Sequence, residues 1–102
     1  MEKPIMTPLK VSKNFKTFSV TGKRGMEMPE HFSTKEAVVT VQEGSALLKI
    51  GGEEKLLEKN GTYIIPEKES HSLSLLADFK AVAIMATDSE IEFIQPNQKT
   101  QS

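Results

Sequence analysis

The sequence contains two histidines, His31 and His71, and no cysteine. An imidazole can transfer a proton, form hydrogen bonds, or bind a metal through an unprotonated ring nitrogen. Because cysteine is absent, disulfides, zinc–thiolate sites, iron–sulfur clusters and cysteine nucleophiles are excluded. Ser33 has no base beside it, and no nucleophile-elbow pattern surrounds Ser45, so a serine hydrolase is not expected. The chemistry of this chain therefore depends on the two imidazoles.

Short strands separated by turns must position these histidines. Alternating and β-branched segments without a helical period indicate an all-β protein. Gly51-Gly52 and Asn60-Gly61 are typical of tight hairpin turns. Residues 79–85 are nearly all apolar, which predicts a strand covered on both faces. So many strands in a short chain favour closure into a barrel or a two-sheet jelly roll. Strands are predicted within residues 15–20, 37–42, 46–50, 62–65, 71–75, 79–85 and 91–94, with 53–59 as a further hairpin arm or a helical turn.

The chain length of 102 residues corresponds to one domain. Residues 1–12 contain Pro4 and Pro8 and show no clean period, so they are predicted to form a loose N-terminal arm. Residues 13–94 are predicted to form a single barrel domain. The polar residues 95–102 are predicted to form a tail that frays.

Two segments resemble the two sequence motifs of the cupins. Residues 31–44 resemble the first motif, in which a His-x-His is followed by a Glu and, after the strand, by a Gly. Residues 60–71 resemble the second motif, in which a turn and a strand precede a Pro and a His. The fifteen residues 45–59 separate the two motifs, and the resemblance spans about residues 26–86. It implies an antiparallel jelly-roll β-barrel (the cupin double-stranded β-helix), commonly a homodimer, with a ligand or metal pocket inside.

The resemblance also implies a metal site, and this sequence keeps half of its ligands. A gap-free alignment places His31 and Ser33 at the two histidine positions of the first motif. Ala37 then takes the glutamate position, whereas His71 keeps the last histidine. Two neutral imidazoles are a weak site for a divalent ion, which usually needs three or more protein ligands. The implied cofactor is a divalent metal (Zn, Mn, Ni or Fe), bound weakly or not at all.

A second alignment of the first motif stays open. It takes Glu36 as the carboxylate ligand, so that His31, Glu36 and His71 would bind the metal. Side chains alternate along a strand, so Ala37 shares the apolar face of Val39 and Glu36 points away from it. The alternation favours the gap-free alignment, and a bulge at Glu36 would reverse that choice.

Three functions agree with these residues. The favoured one is a small cupin-like barrel that binds an unidentified small ligand, with weak or no metal. The alternatives are a metal-dependent cupin enzyme of the oxygenase, isomerase or decarboxylase type, and a structural dimer module with a filled barrel. Whether the chain is an enzyme stays open. The candidate pocket residues are His31, Ser33, Ala37, Val39, Tyr63 and His71; His31 and His71 are the metal candidates, joined by Glu36 in the second alignment only.

The charge pattern argues against a nucleic-acid partner. The 13 basic and 14 acidic residues give a net charge of -1, and the bases of residues 1–24 alternate with apolar residues as in a solvated strand. No apolar run approaches the roughly 20 residues of a membrane span, and the N-terminus does not resemble a signal peptide. A cytoplasmic protein without membrane contact is therefore expected. A homodimer is predicted, because pairing between subunits would cover exposed strand edges and the apolar N-terminal strand with Phe15, Phe18 and Val20.

Overall fold

The alternating segments fold into ten β-strands. The structure is a computed structural model, and it describes residues 3–94 of the chain. Alternation of buried and exposed side chains runs along most strands, as a period of two requires. The strands are β1 (Ile5–Val11), β2 (Phe15–Gly22), β3 (Glu27–Ser33), β4 (Ala37–Glu43), β5 (Ser45–Ile50), β6 (Glu53–Glu58), β7 (Thr62–Ile65), β8 (His71–Leu75), β9 (Phe79–Ala86) and β10 (Ile91–Phe93).

The ten strands form two five-stranded sheets. The strand order is β1-β2-β9-β4-β7 in the first sheet and β10-β3-β8-β5-β6 in the second. Every pair of neighbouring strands is antiparallel. Within the described part of the chain, no helix is long and apolar enough to cross a membrane. The predicted all-β jelly-roll barrel is confirmed.

The core lies between the two sheets, because each strand turns its more apolar side inward. On β4, Ala37 and Val41 are buried and Gln42 is exposed. Removing such apolar side chains from water is the main stabilising contribution to a barrel of this size. The buried core residues of the central strands include Ala37, Val41, Leu48, Leu73, Leu75, Phe79, Ala81 and Met85.

The N-terminal segment is ordered as a strand, which corrects the prediction of a loose arm over residues 1–12. β1 pairs with β2 along most of its length. Pro8 cannot donate a backbone hydrogen bond, but β1 is the edge strand of the first sheet, where a proline is tolerated. The register shifts between Pro8 and Lys10, so the strand absorbs the proline with a bulge. The predicted tail, residues 95–102, lies outside the described residues.

A tight hairpin joins β5 and β6. Gly51 and Gly52 have φ angles of 59° and 75°, the left-handed conformation that a two-residue hairpin turn needs and that glycine adopts without strain. β6 then pairs with β5 from Glu53 to Glu58. The alternative of a helical turn in this segment is therefore wrong.

Candidate functional site

A cavity of about 80 Å³ lies between the two sheets and is lined by residues from both. Its walls are mostly apolar, and the polar side chains that line it, among residues 3–94, are His31, Ser33 and His71. One water molecule occupies roughly 30 Å³ of liquid. The cavity therefore accommodates about two or three waters, or a ligand group of a few heavy atoms.

The two histidines meet across neighbouring strands of the second sheet. His31 on β3 is the direct register partner of His71 on β8. Their ring centroids are 4.3 Å apart with an interplanar angle of 63°, and the two residues are only 7% and 8% exposed. The predicted juxtaposition of these side chains is present in the fold.

Each imidazole is oriented by a backbone carbonyl two residues earlier in the chain. The Nδ1 of His31 lies 2.7 Å from the carbonyl oxygen of Pro29, and the Nδ1 of His71 lies 2.9 Å from that of Glu69. Because a carbonyl oxygen only accepts, Nδ1 must carry the proton in both rings. The proton-free nitrogen of each neutral ring is therefore Nε2.

The two Nε2 atoms face accessible space. Neither makes a hydrogen bond to the described protein. No side-chain nitrogen or oxygen in residues 3–94 is both sealed from solvent and without a partner. Since His31 and His71 are buried residues that line the cavity, the cavity is where these lone pairs are available.

Burial keeps both imidazoles neutral. Desolvation lowers the pKa of His31 below its ordinary value of 6.5, and the neighbouring His71 lowers it further, while the Pro29 carbonyl raises it in part. Desolvation likewise lowers the pKa of His71, opposed by the carbonyl and the charge of Glu69. At neutral pH each ring therefore offers one acceptor nitrogen and one committed N–H donor.

Ser33, the third polar group on the cavity wall, also has no hydrogen-bond donor left for a ligand. The Ser33 hydroxyl donates to the Lys35 carbonyl oxygen at 2.8 Å, which uses its only proton. Ala37 and Val39 line the cavity beside it. All three polar groups on the wall therefore present lone pairs.

Tyr63 does not belong to the cavity wall, contrary to the prediction. Its side chain packs against the core from β7, but its hydroxyl lies at the backbone N–H of Glu58, which donates to it at 3.0 Å. The ring lies over Gly61, where any Cβ would overlap it. Sequence alternation gives the face of a strand and not the direction in which a long side chain leans, so it could not exclude this residue.

The side chains that could ligate a metal in the cavity do not fit a tightly bound divalent ion. Glu36 is exposed and does not line the cavity, whereas the next residue, Ala37, is buried and does. Within the described chain, no group of three or more His, Asp or Glu side chains is placed to hold a metal ion. His31 and His71 supply two neutral nitrogens and no anion, and stable divalent sites usually have three or four ligands.

Phe93 on β10, the edge strand of the second sheet, covers His31 and was not predicted to do so. It is the register partner of His31, and the two ring centroids are 5.0 Å apart. Its other side remains 44% exposed, and the Lys3 ammonium lies 5.9 Å from its centroid. The sequence did contain a sign of this, because Phe93 lies two residues after Ile91 and so shares its strand face, and Ile91 lines the cavity.

Several solved structures share this fold. No protein-family model matches the sequence, and no curated protein matches it. An uncharacterized conserved protein with a double-stranded β-helix domain from Klebsiella pneumoniae has a TM-score of 0.80 at 17% identity, over 89% of this chain and 79% of that chain. An RmlC-like cupin protein from Desulfovibrio desulfuricans has a TM-score of 0.72 at 24% identity, over 83% of both chains. A DMSP lyase from Ruegeria pomeroyi has a TM-score of 0.82 at 16% identity, over 92% of this chain and 53% of that chain.

These likenesses concern the fold, because every identity is low. They agree with the two antiparallel five-stranded sheets. Some of the similar proteins are enzymes and others are uncharacterized. The chain has the cupin fold, a double-stranded β-helix.

Proposed function

We propose that this barrel binds a small uncharged molecule that donates a hydrogen bond to the histidine pair, without needing a divalent metal. The observation that carries the proposal is the orientation of the two imidazoles. Their Nδ1 protons are committed to the carbonyls of Pro29 and Glu69, so both Nε2 atoms are acceptors in a mostly apolar cavity. A ligand with an O–H or N–H group satisfies such a site.

Because the polar side chains of the cavity wall have no free hydrogen-bond donor, the site also disfavours anionic ligands. His31, His71 and Ser33 all present lone pairs to the cavity. A carboxylate or phosphate oxygen would find no donor there and would lose its hydration, which is costly for a buried charge. The preferred ligand is therefore neutral at its buried end.

The shape of the barrel favours an elongated ligand. Beside the cavity of about 80 Å³ lies an apolar groove of about 240 Å³ between β1, β2 and β10. Both spaces share a wall formed by Met6, Phe18, Met85 and Ile91. This arrangement fits a ligand with a short hydrogen-bond-donating group in the cavity and an apolar chain in the groove.

A metal-dependent reaction receives less support. The DMSP lyase with a similar fold is an enzyme, but the present cavity offers two neutral imidazoles and an alanine where the motif has a carboxylate. If a metal were bound, His31 and His71 would hold it through Nε2, and it would supply a Lewis acid at that point. Two ligands are too few for strong retention.

Titration with straight-chain alcohols tests the proposal. Butanol, hexanol and octanol are added to the ¹⁵N-labelled protein, with hexanoate as the charged match of hexanol. We expect shifts at His31, His71 and the cavity wall, with affinity rising about fourfold per buried methylene group. We expect hexanoate to cause no such shifts.

Two variants assign the binding. His71→Phe removes one acceptor and is expected to weaken hexanol binding about tenfold or more, the cost of one lost hydrogen bond in a dry site. Glu36→Gln changes an exposed residue outside the cavity and should bind like the natural chain. If no alcohol binds, the barrel is filled and the structural-module alternative holds; if hexanoate binds as tightly as hexanol, the donor requirement is wrong.

A further inference from the structure

The two ring acceptors of the cavity lie side by side. His31 and His71 are direct register partners, and their ring centroids are 4.3 Å apart. Each ring offers one proton-free Nε2, because its Nδ1–H donates to a backbone carbonyl. A single nitrogen that donates two hydrogen bonds of about 2.9 Å spans acceptors up to about 5.8 Å apart. One ligand group with two donors therefore fits this pair, whereas a hydroxyl has one proton and satisfies only one ring.

The wall of the cavity gives the ligand no donor in return. The Ser33 hydroxyl donates to the Lys35 carbonyl, and apart from the two histidines the other side chains that line the cavity in residues 3–94 are apolar. A carbonyl or ether oxygen next to the donor group of the ligand would be buried here without a partner, which is unfavourable. The donor group therefore needs two N–H or O–H protons and no acceptor that must be satisfied. An amino group on an aromatic ring meets both conditions, because its lone pair is delocalised into the ring.

The apolar part of the wall fits an aromatic ring. Met6, Met28 and Met85 line the cavity together with Phe18 and Phe79. Thioether sulfur makes favourable contacts with aromatic rings, and the flexible methionine side chain adapts to irregular shapes. Phenylalanine rings add stacked or edge-to-face contacts. Three of the five methionines of the chain are thus placed to contact the ring of a ligand whose amino group meets the histidines.

The cavity wall also requires that this amino group be uncharged. No carboxylate lines the cavity among the described residues, and Glu36 is exposed outside it. An ammonium group buried there would lose its hydration without a counter-ion, which is unfavourable. Aliphatic amines carry such a charge at neutral pH, whereas an aromatic amine does not.

We infer that the ligand of this cavity is a primary aromatic amine, whose amino group donates one hydrogen bond to His31 and one to His71. This ligand class rests on the proposed function, because it specifies the donor that the same two acceptors select. The ring lies against the methionines that line the cavity. Apolar substituents on the ring extend along the wall that the cavity shares with the neighbouring groove.

Three ligands of matched shape test the number of donors: 4-ethyltoluene has none, 4-ethylphenol has one and 4-ethylaniline has two. Each is titrated into the ¹⁵N-labelled full chain at neutral pH, and binding is followed at His31, His71 and the cavity wall. We expect 4-ethylaniline to bind at least about fivefold more tightly than 4-ethylphenol, because it leaves one fewer acceptor unpaired in a dry site. We expect 4-ethyltoluene to bind most weakly. The Nε2 resonances of both rings should shift when 4-ethylaniline is added.

Two histidine variants assign the second hydrogen bond. His31→Phe and His71→Phe each leave one ring acceptor, so 4-ethylaniline should then bind no more tightly than 4-ethylphenol. Glu36→Gln changes an exposed residue outside the cavity and should keep the order of the natural chain. An advantage of 4-ethylaniline that survives in both histidine variants overturns the inference.

The natural chain alone separates this inference from the proposed function. If it binds 4-ethylaniline no more tightly than 4-ethylphenol, the aromatic amine is wrong, and this comparison does not depend on the folding of any variant. If 4-ethylphenol still binds more tightly than 4-ethyltoluene, a single donor is recognised and the proposed function stands. If neither donor gives an advantage over 4-ethyltoluene, both are overturned.

Discussion

Acidification below pH 6.5 is expected to destabilise the fold through the buried histidine pair. Burial lowers the pKa of both His31 and His71 below the ordinary value of 6.5. Above 6.5 the folded and unfolded chains both hold neutral imidazoles, so this contribution to stability is fully present. Between 6.5 and the folded pKa, the unfolded chain binds protons that the folded chain does not. The free energy of unfolding therefore falls as the pH falls, and the loss ends below the folded pKa.

The magnitude follows from the number of protons and the distance between the rings. Each histidine contributes at most about 1.4 kcal/mol per pH unit, so the pair contributes at most about 2.7 kcal/mol per pH unit. With ring centroids 4.3 Å apart, two charges would repel by about 4 kcal/mol at an effective dielectric constant of about 20. The folded protein thus resists a second proton, and the two rings titrate as a coupled pair.

Urea unfolding between about pH 5 and 7.5 measures this dependence. The window avoids the exposed Asp88, since hydrogen bonding and charge from Lys35 lower the pKa of that carboxyl below 3.8. His71→Gln removes one titrating group and should reduce the slope by about half, to at most about 1.4 kcal/mol per pH unit. A stability that is constant over this range, or that rises on acidification, would refute the assignment of two buried neutral imidazoles.

Three further substitutions test the surroundings of the site. Phe93→Ala removes the ring that covers His31, so the pKa of His31 should rise toward its ordinary value in an NMR titration; an unchanged pKa contradicts the covering role. Ser33→His combined with Ala37→Glu adds two metal-ligating side chains to the cavity wall. The double variant should raise the affinity for zinc, manganese or nickel by orders of magnitude in equilibrium dialysis. An unchanged affinity would show that the four side chains do not converge on one point. Gly44→Ala places an alanine at a backbone φ of 77° and its Cβ against a backbone carbonyl. Urea unfolding should therefore show that the free energy of unfolding falls by more than about 2 kcal/mol. A decrease of less than about 1 kcal/mol would contradict this crowding.

Alternation along the strands made much of the fold predictable. Ala37 and Val39 share an apolar face with no charged neighbour, and a strand must turn such a face toward the core. The same reasoning separated Ala37 from Glu36, and the structure buries the first and exposes the second. The motif positions of His31 and His71 predicted that the rings lie close together, because each motif provides one strand of the same sheet.

The features that the sequence could not predict depend on contacts between distant segments. β1 has a weak local pattern, and its pairing with β2 outweighs the presence of Pro8. Phe93 covers His31 only because β10 adds to the edge of β3. The direction of each Nδ1 proton depends on local backbone geometry that residue types do not encode.

The tautomers of the two imidazoles test the central claim most directly. Long-range ¹H–¹⁵N NMR on uniformly labelled protein distinguishes protonated from proton-free ring nitrogens in each histidine. At pH 7 we expect Nδ1 of both His31 and His71 to be protonated and both Nε2 atoms to be proton-free, as the bonds to the Pro29 and Glu69 carbonyls require. A proton on Nε2 of either ring, as the other neutral tautomer or as an imidazolium, would contradict a cavity that offers only acceptors.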